Sequence, residues 1–497
     1  MSYKSLGRAI LERLRQRGAE RVYAVLGTDH VTLMREFEAF NGLTLVTVPH
    51  EFAAASLALG DSLAGKLGVA LVHSIPGSLN ASGVLLNALT SRIPLIVLAG
   101  ESPKSRGEFG RTLRVHWSVD LKFPELPVKR AFRLDDDNPL GQLERAIALA
   151  LSEPQGPVLI TFRRDLLAKP VQEDSRKDPY FPGASRKVIE RANELLSRLS
   201  RVALITYRAG RRFEAFSALK DFAERNSAPV ENPVGERLNY PSDGPFATLK
   251  VEDAEGYIVV EHEAPWIVER EGVKVWVDPD PLFSLIEHHD FPCDLCVQSV
   301  PEDFLPYLKL PKQDREWAFV KSEQLRKYRE ERKSLRCIAA KELSSWGEPI
   351  FNEYQLDRNC LVLRDFNTYF GDLAADHLGW AWGASIGFHF STGKKTIAVT
   401  GDGSFYLSSP ESVAYVARRA KNVLLIFDDA RWGSVGREYE RFYGEGTRTV
   451  DLERADFSGL FSSFKIPYFE VRGEDELLEA LGKARGMERA AIRVLER

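Results

Sequence analysis

Val399-Thr400-Gly401-Asp402-Gly403-Ser404 and, further along, Phe427-Asp428-Asp429-Ala430-Arg431-Trp432-Gly433 are the stretches whose reading decides the fold. The apolar run Thr396 to Thr400 predicts a buried strand that ends in a tight Gly-Asp-Gly-Ser turn. A second apolar run, Val423 to Phe427, ends in two aspartates. As neighbouring parallel strands, these runs would bring Asp402 and Asp429 to the carboxyl edge of one sheet, where open α/β folds bind ligands. Carboxylate oxygens with a backbone carbonyl suit Mg2+, which also keeps phosphate oxygens among its ligands. The glycines let backbone N–H groups approach a diphosphate closely. The segment therefore reads as a holder for a diphosphate through a divalent metal.

Upstream, Val46-Thr47-Val48-Pro49-His50-Glu51 reads as an apolar strand ending in a glutamate, followed by the Ala-rich helical run Phe52 to Ala64. Leu71-Val72-His73-Ser74-Ile75-Pro76-Gly77-Ser78-Leu79-Asn80 reads as a strand and a Gly-rich turn. A helix of small residues and the Pro-led strand Pro94 to Glu101 follow. Strands alternating with amphipathic helices recur throughout, which predicts an α/β protein with doubly wound parallel sheets. A chain of 497 residues suggests about three domains. Their expected extents are residues 1–169, 186–310 and 337–497, with a polar linker from Pro170 to Ser185 and a charged helical connector from Lys312 to Arg336. In the middle domain, strands are expected at Val202–Thr206, Gly256–Val260 and Val273–Val277.

Composition narrows the function classes. Hydrophobic residues make up 44% and the net charge is −4, which fits a soluble globular protein without a polybasic nucleic-acid footprint. No apolar stretch approaches the roughly 20 residues of a membrane span, and the start lacks a signal-peptide core. Four cysteines in so long a chain point to a reducing compartment rather than a disulfide framework, hence to the cytoplasm. The segment His288-His289-Asp290-Phe291-Pro292-Cys293-Asp294-Leu295-Cys296 imitates a zinc site, but Cys296 falls in a predicted strand and no second ligand pair has zinc-finger spacing. It reads as structural. His30 and His116 lie in polar loops and read mainly as surface residues.

The Gly-Asp-Gly-Ser segment, the gap after it and the Asp pair before x-x-aromatic-Gly together resemble the thiamine diphosphate motif, and most of all the acetolactate synthase and benzoylformate decarboxylase group. The resemblance covers nearly the whole chain and implies a pyrimidine-binding, a middle and a diphosphate-binding domain. It implies that Glu51 hydrogen-bonds the aminopyrimidine ring and that Asp402, Asp429 and the Arg431 carbonyl hold Mg2+. The usual second metal ligand is Asn, where this chain has Asp429. Gly401, Gly403, Ser404, Trp432 and Gly433 would surround the diphosphate, and Leu378 would wedge between the two rings. Asp376-His377 replaces the family's small residues before that wedge, so Asp376 joins the cofactor loop and His377 becomes a candidate proton carrier. His73 stands where benzoylformate decarboxylases have an active-site histidine.

The implied reaction acts on a 2-oxo acid: loss of CO2 is followed by protonation to an aldehyde or by addition to a second carbonyl compound. Pyruvate decarboxylases place a glutamate where this chain has Val435 and carry paired histidines that it lacks, which disfavours that assignment. Glu438 replaces an aromatic pocket wall of benzoylformate decarboxylases. Asn352-Glu353-Tyr354, Glu263-Ala264-Pro265-Trp266 and Ala430-Arg431-Trp432-Gly433 favour an acetolactate synthase-like branch. The alternatives are a benzoylformate decarboxylase-like enzyme, a 2-hydroxyacyl-CoA lyase or a non-catalytic relative. FAD in the middle domain is possible and not favoured. A homodimer or homotetramer is expected, Glu51 of one subunit facing Asp402 of another.

Overall fold

A computed structural model describes residues 4–101, 125–171, 181, 183–284 and 291–496. It contains three six-stranded sheets and a two-stranded antiparallel pair, Lys4–Ser5 with Pro170–Val171. The start of the expected linker is thus a short strand. The chain forms two compact units: Met1–Pro179 with Leu373–Val471 and Gly486–Arg497, and Tyr180–Asp372 with Arg472–Arg485. The α/β, doubly wound expectation holds.

In the first unit, parallel strands run in the order Thr44–Thr47, Arg21–Ala24, Gly68–His73, Leu95–Glu101, Pro157–Arg163, Arg130–Arg133. The chain passes from Arg21–Ala24 outward to Thr44–Thr47, then returns to the other side as Gly68–His73. The carboxyl ends of Arg21–Ala24 and Gly68–His73 therefore flank a topological switch point, where connections diverge and leave a crevice. Four further strands of this unit run in the parallel order Thr396–Gly401, Asn422–Asp428, Arg489–Leu495, Tyr468–Val471.

The helices Glu51–Leu63 and Trp380–Thr392 join these two sets of strands. Both are apolar around their circumference, as helices buried on all sides must be; Ala53, Ala54, Leu57, Ala58, Ala381, Ala384 and Ile386 are fully buried. They meet backbone to backbone. A Cβ at Gly60 would collide with the Ala384 carbonyl, and one at Gly387 with the Leu57 carbonyl. At the far end of the first helix, Asp61 is buried and accepts from Tyr23 (2.9 Å) and from Ser391 (2.7 Å), tying it to a strand and to the second helix.

In the second unit the parallel order is Ala247–Thr248, Val230–Glu231, Val202–Thr206, Gly256–Val260, Val273–Asp278, Leu295–Gln298. Alternate residues feed opposite faces: Val202, Leu204, Ile258 and Val260 enter one core, while Ala203, Ile205, Tyr257 and Val259 enter another. Apolar residues on both faces are the mark of a sheet covered on both sides. Ile350–Asn352 and Tyr369–Gly371 pair in parallel within this unit. The charged connector is the helix Arg315–Glu331.

The cysteine expectation is overturned. Cys293 pairs with Cys296 and Cys337 with Cys360, with Cα separations of 5.9 and 5.3 Å. Cysteine count gave no view of which thiols the fold would bring together. Because Cys293 and Cys296 are bonded to each other, neither thiol is available to zinc. His288, His289 and Asp290 lie outside the described residues, as does His116.

Two measurements probe the helix pair. Gly387→Ala should destabilise the protein by about 1–3 kcal/mol or more in chemical denaturation, since a backbone carbonyl cannot step aside. Burial raises the Asp61 carboxyl from its ordinary 3.8 to about 7, against hydrogen bonds from Ser391 and Tyr23. A folded-state pKa above the unfolded one means stability is fully present below 3.8 and lost as pH rises through about 7. Asp61→Asn, which keeps an acceptor for Tyr23 and Ser391, should therefore gain in Tm over wild type between pH 4 and pH 8.

Candidate functional site

Register places the acidic edge. Thr396–Gly401 and Asn422–Asp428 are adjacent and parallel, with Gly401 opposite Phe427, so both strands deliver aspartates to the same edge. Asp402 opens the helix Asp402–Leu407 and is buried. Burial, then Asp428 and Asp429, push its carboxyl up to about 7. A buried carboxylate beside two more is a site that favours a cation.

The two neighbouring aspartates have different fates. Asp428 is buried and held by Arg493 through Nε at 2.6 Å and through its terminal nitrogen, and by Arg454 at 3.3 Å; it also caps the Ala430 N–H at 2.9 Å. Its charge is spent on structure. Asp429 is half-buried, and a side chain at Gly433 would lie 2.5 Å from its Oδ2. Arg431 directs its side chain away, to Asp451 (2.9 Å) and the Thr447 carbonyl (2.7 Å). The Trp432 ring lies over Gly403, where a Cβ would meet its six-membered ring at 2.6 Å. Gly401 ends the strand and Ser404 is buried in the first turn of the helix. Among the described residues no cluster of three or more His, Cys, Asp or Glu is set to hold a metal. Two carboxylates with one carbonyl fit an ion that takes its remaining ligands from phosphate and water.

Glu51 is buried at the first position of its helix, not at a strand end; the strand stops at Thr47. His50 caps the helix by accepting the Phe52 N–H at 3.1 Å. Asn80 donates to Glu51 Oε2 at 3.0 Å, and Gly77 leaves room beside Oε1. Asn80 escaped the sequence reading because Ser74–Asn80 is a helix where Pro76-Gly77 suggested a turn.

His73 ends its strand half-buried, with Nδ1 2.7 Å from Asp29 Oδ1. That hydrogen bond raises its pKa; burial opposes it, and the Asp29 and Glu51 charges reinforce it. His30 is fully buried, which corrects the surface expectation: Nδ1 accepts the Gly27 N–H and Nε2 reaches the Val72 carbonyl, both at 3.0 Å. Asp29 also went unnoticed in the sequence, since only the fold brings it to a histidine 44 residues away.

The loop before Trp380 is gripped by the N-terminal part of the same unit. Asn87 donates to the His377 carbonyl (2.8 Å) and accepts its N–H (3.2 Å). The His377 ring fills the space above Gly83, 5.5 Å from Phe52, with Nδ1 3.1 Å from the Leu378 carbonyl. Asp376 is exposed in a left-handed conformation (φ 56°), and Leu378 is half-buried.

Residues 4–118 match the family model for the thiamine pyrophosphate enzyme N-terminal TPP binding domain, and residues 357–494 that for the C-terminal TPP binding domain. The chain belongs to the thiamine pyrophosphate enzymes. Pyruvate decarboxylase 2 of Oryza sativa subsp. indica is 25% identical, aligned over 99% of this chain and 88% of its own length. Pyruvate decarboxylase 1 of Arabidopsis thaliana is 23% identical over 97% and 86%. The benzoylformate decarboxylase structure from Polynucleobacter necessarius superimposes with a TM-score of 0.83 at 20% identity, covering 99% of this chain and 98% of that one. The 4-hydroxybenzoylformate decarboxylase of Rhodococcus jostii gives 0.83 at 18% identity, covering 99% of each chain. These structures share the fold of this thiamine pyrophosphate enzyme.

The second unit has its own switch point, between Val202–Thr206 and Gly256–Val260, in the strand order typical of dinucleotide-binding sheets. Beyond its carboxyl edge, charged side chains of the chain pair with one another. Arg208 pairs with Glu263, Arg211 with Glu261 (2.6 Å), and Arg212 with Glu302 (2.7 Å). Burial lowers His262 to about 4, so it is neutral in this setting.

Asp428→Asn should cost about 3–5 kcal/mol by leaving the buried Arg493 with only the exposed Glu470, 3.6 Å away, as countercharge. Asp429→Asn should leave stability within about 0.5 kcal/mol. Chemical denaturation of the two variants checks the division.

Proposed function

We propose that this chain is a thiamine diphosphate- and Mg2+-dependent enzyme that decarboxylates a 2-oxo acid, with 1–169, 186–310 and 337–497 as its pyrimidine-binding, middle and diphosphate-binding domains. The observation that carries the reading is Glu51, a buried carboxylate anchored by Asn80 at a helix start, in a chain that also aligns Asp402 and Asp429 on one sheet edge. When bound, thiamine diphosphate supplies the electron sink that lets a 2-oxo acid lose CO2.

The protein's part is holding and proton handling. Glu51 hydrogen-bonds the aminopyrimidine. Asp402, Asp429 and the Arg431 carbonyl hold Mg2+, while Gly401, Gly403, Ser404, Trp432 and Gly433 frame the diphosphate. Leu378 supports the rings, and Asp376 lends its backbone to that loop. His73, carrying a proton, binds the substrate carboxylate, and His377 is a second proton carrier. FAD in the middle domain is not favoured, because Arg208 and Arg211 at that sheet's carboxyl edge are already paired with Glu263 and Glu261. We assign a homodimer or homotetramer, with Glu51 of one protomer facing Asp402 of another; the two disulfides remove the cysteine argument for a cytoplasmic location. No helix among the described residues is long and apolar enough to cross a membrane.

The names of the relatives and structural neighbours favour protonation to an aldehyde. A second reading, acetolactate synthase-like carboligation, rests on Val435, an exposed apolar residue on the helix after Asp429 that offers no proton.

Thiamine diphosphate with Mg2+ should raise Tm, because a ligand that binds only the folded state stabilises it. Asp402→Ala should abolish the rise, and Glu51→Gln should abolish turnover. Incubation with pyruvate, phenylglyoxylate and 2-oxobutanoate, with products identified by mass, separates aldehyde from hydroxyketone. No rise in Tm and no consumption of any 2-oxo acid would overturn the assignment.

A further inference from the structure

We propose that Asp29 is a positioning residue, fixing His73 with Nδ1 protonated and directed inward so that the ring presents a charged Nε2 edge to the crevice at the first switch point. The inference rests on the assignment of His73 to the substrate carboxylate, and it names the group that equips His73 for that task.

Three observations converge. Asp29 is 3% exposed, yet it occupies the turn Thr28–His30, in the connection that leaves Arg21–Ala24, one of the two strands that flank the switch point. Its carboxylate sits where two side chains are missing. A Cβ at Gly27 would strike Oδ1 and would lie 2.7 Å from His73 Nδ1; a Cβ at Gly100 would strike Oδ2. The fold has therefore cleared space for this carboxylate from both the turn and the strand Leu95–Glu101.

The proton bookkeeping is the second observation. Among the described residues, the charged and titratable groups set around His73 include Asp29 and His30 on the turn and Glu51 at its helix start. His30 also faces Asp29, its Nε2 standing 3.2 Å from Oδ2. Its Nδ1 accepts the Gly27 N–H, so its single proton is on Nε2 and goes to the Val72 carbonyl; burial lowers its pKa. Asp29 itself stays ionised. Burial raises its pKa, but the His73 hydrogen bond and both histidines outweigh that and leave it below the ordinary value.

The third is orientation. A carboxylate accepts only, so it selects the tautomer in which His73 carries its proton on Nδ1. Solvent still reaches 26% of the His73 side chain. An imidazolium held this way suits a small anion, and its pKa is supported by two carboxylates, Asp29 and Glu51.

The test is a pH titration of His73 by NMR in 15N-histidine-labelled full-length protein, with His73→Gln to assign the signal, alongside the kcat/KM profile for the 2-oxo acid consumed. In wild type His73 should titrate above 6.5, with Nδ1 protonated in the neutral form. In Asp29→Asn it should fall by about one unit or more, as loss of an opposite charge within hydrogen-bond reach requires. The basic limb of kcat/KM should move with it, chiefly through KM. An unchanged His73 titration in Asp29→Asn overturns the proposal. If that variant does not fold, an Nε2-protonated neutral His73 in wild type overturns it instead. The NMR result needs no turnover, so failure to find a substrate would count against the enzymatic assignment and leave this inference standing.

Discussion

The contact on which the first unit depends is the backbone approach of Glu51–Leu63 and Trp380–Thr392 at Gly60 and Gly387. Carbonyls stand where side chains would be, so the crossing cannot slide by even a methyl group. Each helix begins at a residue assigned to the cofactor: Glu51 opens one, and Leu378-Gly379 leads into the other. Fixing the crossing fixes where both helices start. The Asn87 clamp on His377 and the Asp61 bonds to Tyr23 and Ser391 act beyond the crossing, so each helix pair is restrained along its length.

The aspartates show how surroundings decide what one side chain does. Asp428 is neutralised by Arg493 and Arg454 and braces the sheet edge. Asp429, next in sequence, meets no such cation among the described residues. Asp402 is raised because burial and two like charges act together. Asp29, buried like Asp402 and Asp428, stays ionised because a histidine donates to it. Asp372, in the second unit, is raised to about 6 by burial although Arg358 stands 3.3 Å away. Cation access, more than depth, separates the structural carboxylates from those poised for a ligand.

Much of this was legible in the sequence because strand ends carry their own punctuation. Val202–Thr206 and Gly256–Val260 were readable to the residue, and the Gly-Asp-Gly-Ser turn marked the acidic edge. Two-residue strands such as Val230–Glu231 and Ala247–Thr248 were not, since they are too short to show a period and exist only by pairing. Ser74–Asn80 was misread because Pro76 sits at the third position of a helix, where its missing N–H costs little. The Cys337–Cys360 disulfide, the burial of His30 and the partners of Glu51 and His73 are long-range facts. No local pattern encodes which residues meet when strands distant in sequence lie side by side.

The distribution of tasks follows from these constraints. Of the residues proposed to hold the cofactor, Glu51, Gly401, Asp402 and Ser404 lie on closely packed elements: a helix start, a strand end and the turn after it. The helix Gly433–Tyr443 is different, because it buries only Gly436 and exposes Val435, Phe442 and Tyr443. A surface with so few internal contacts can change sequence at little cost to folding, whereas Gly60, Gly387 or Asp428 cannot. Differences in substrate among proteins of this fold should therefore accumulate on such weakly held elements. The shared cofactor chemistry is kept by residues that the core leaves no freedom to vary.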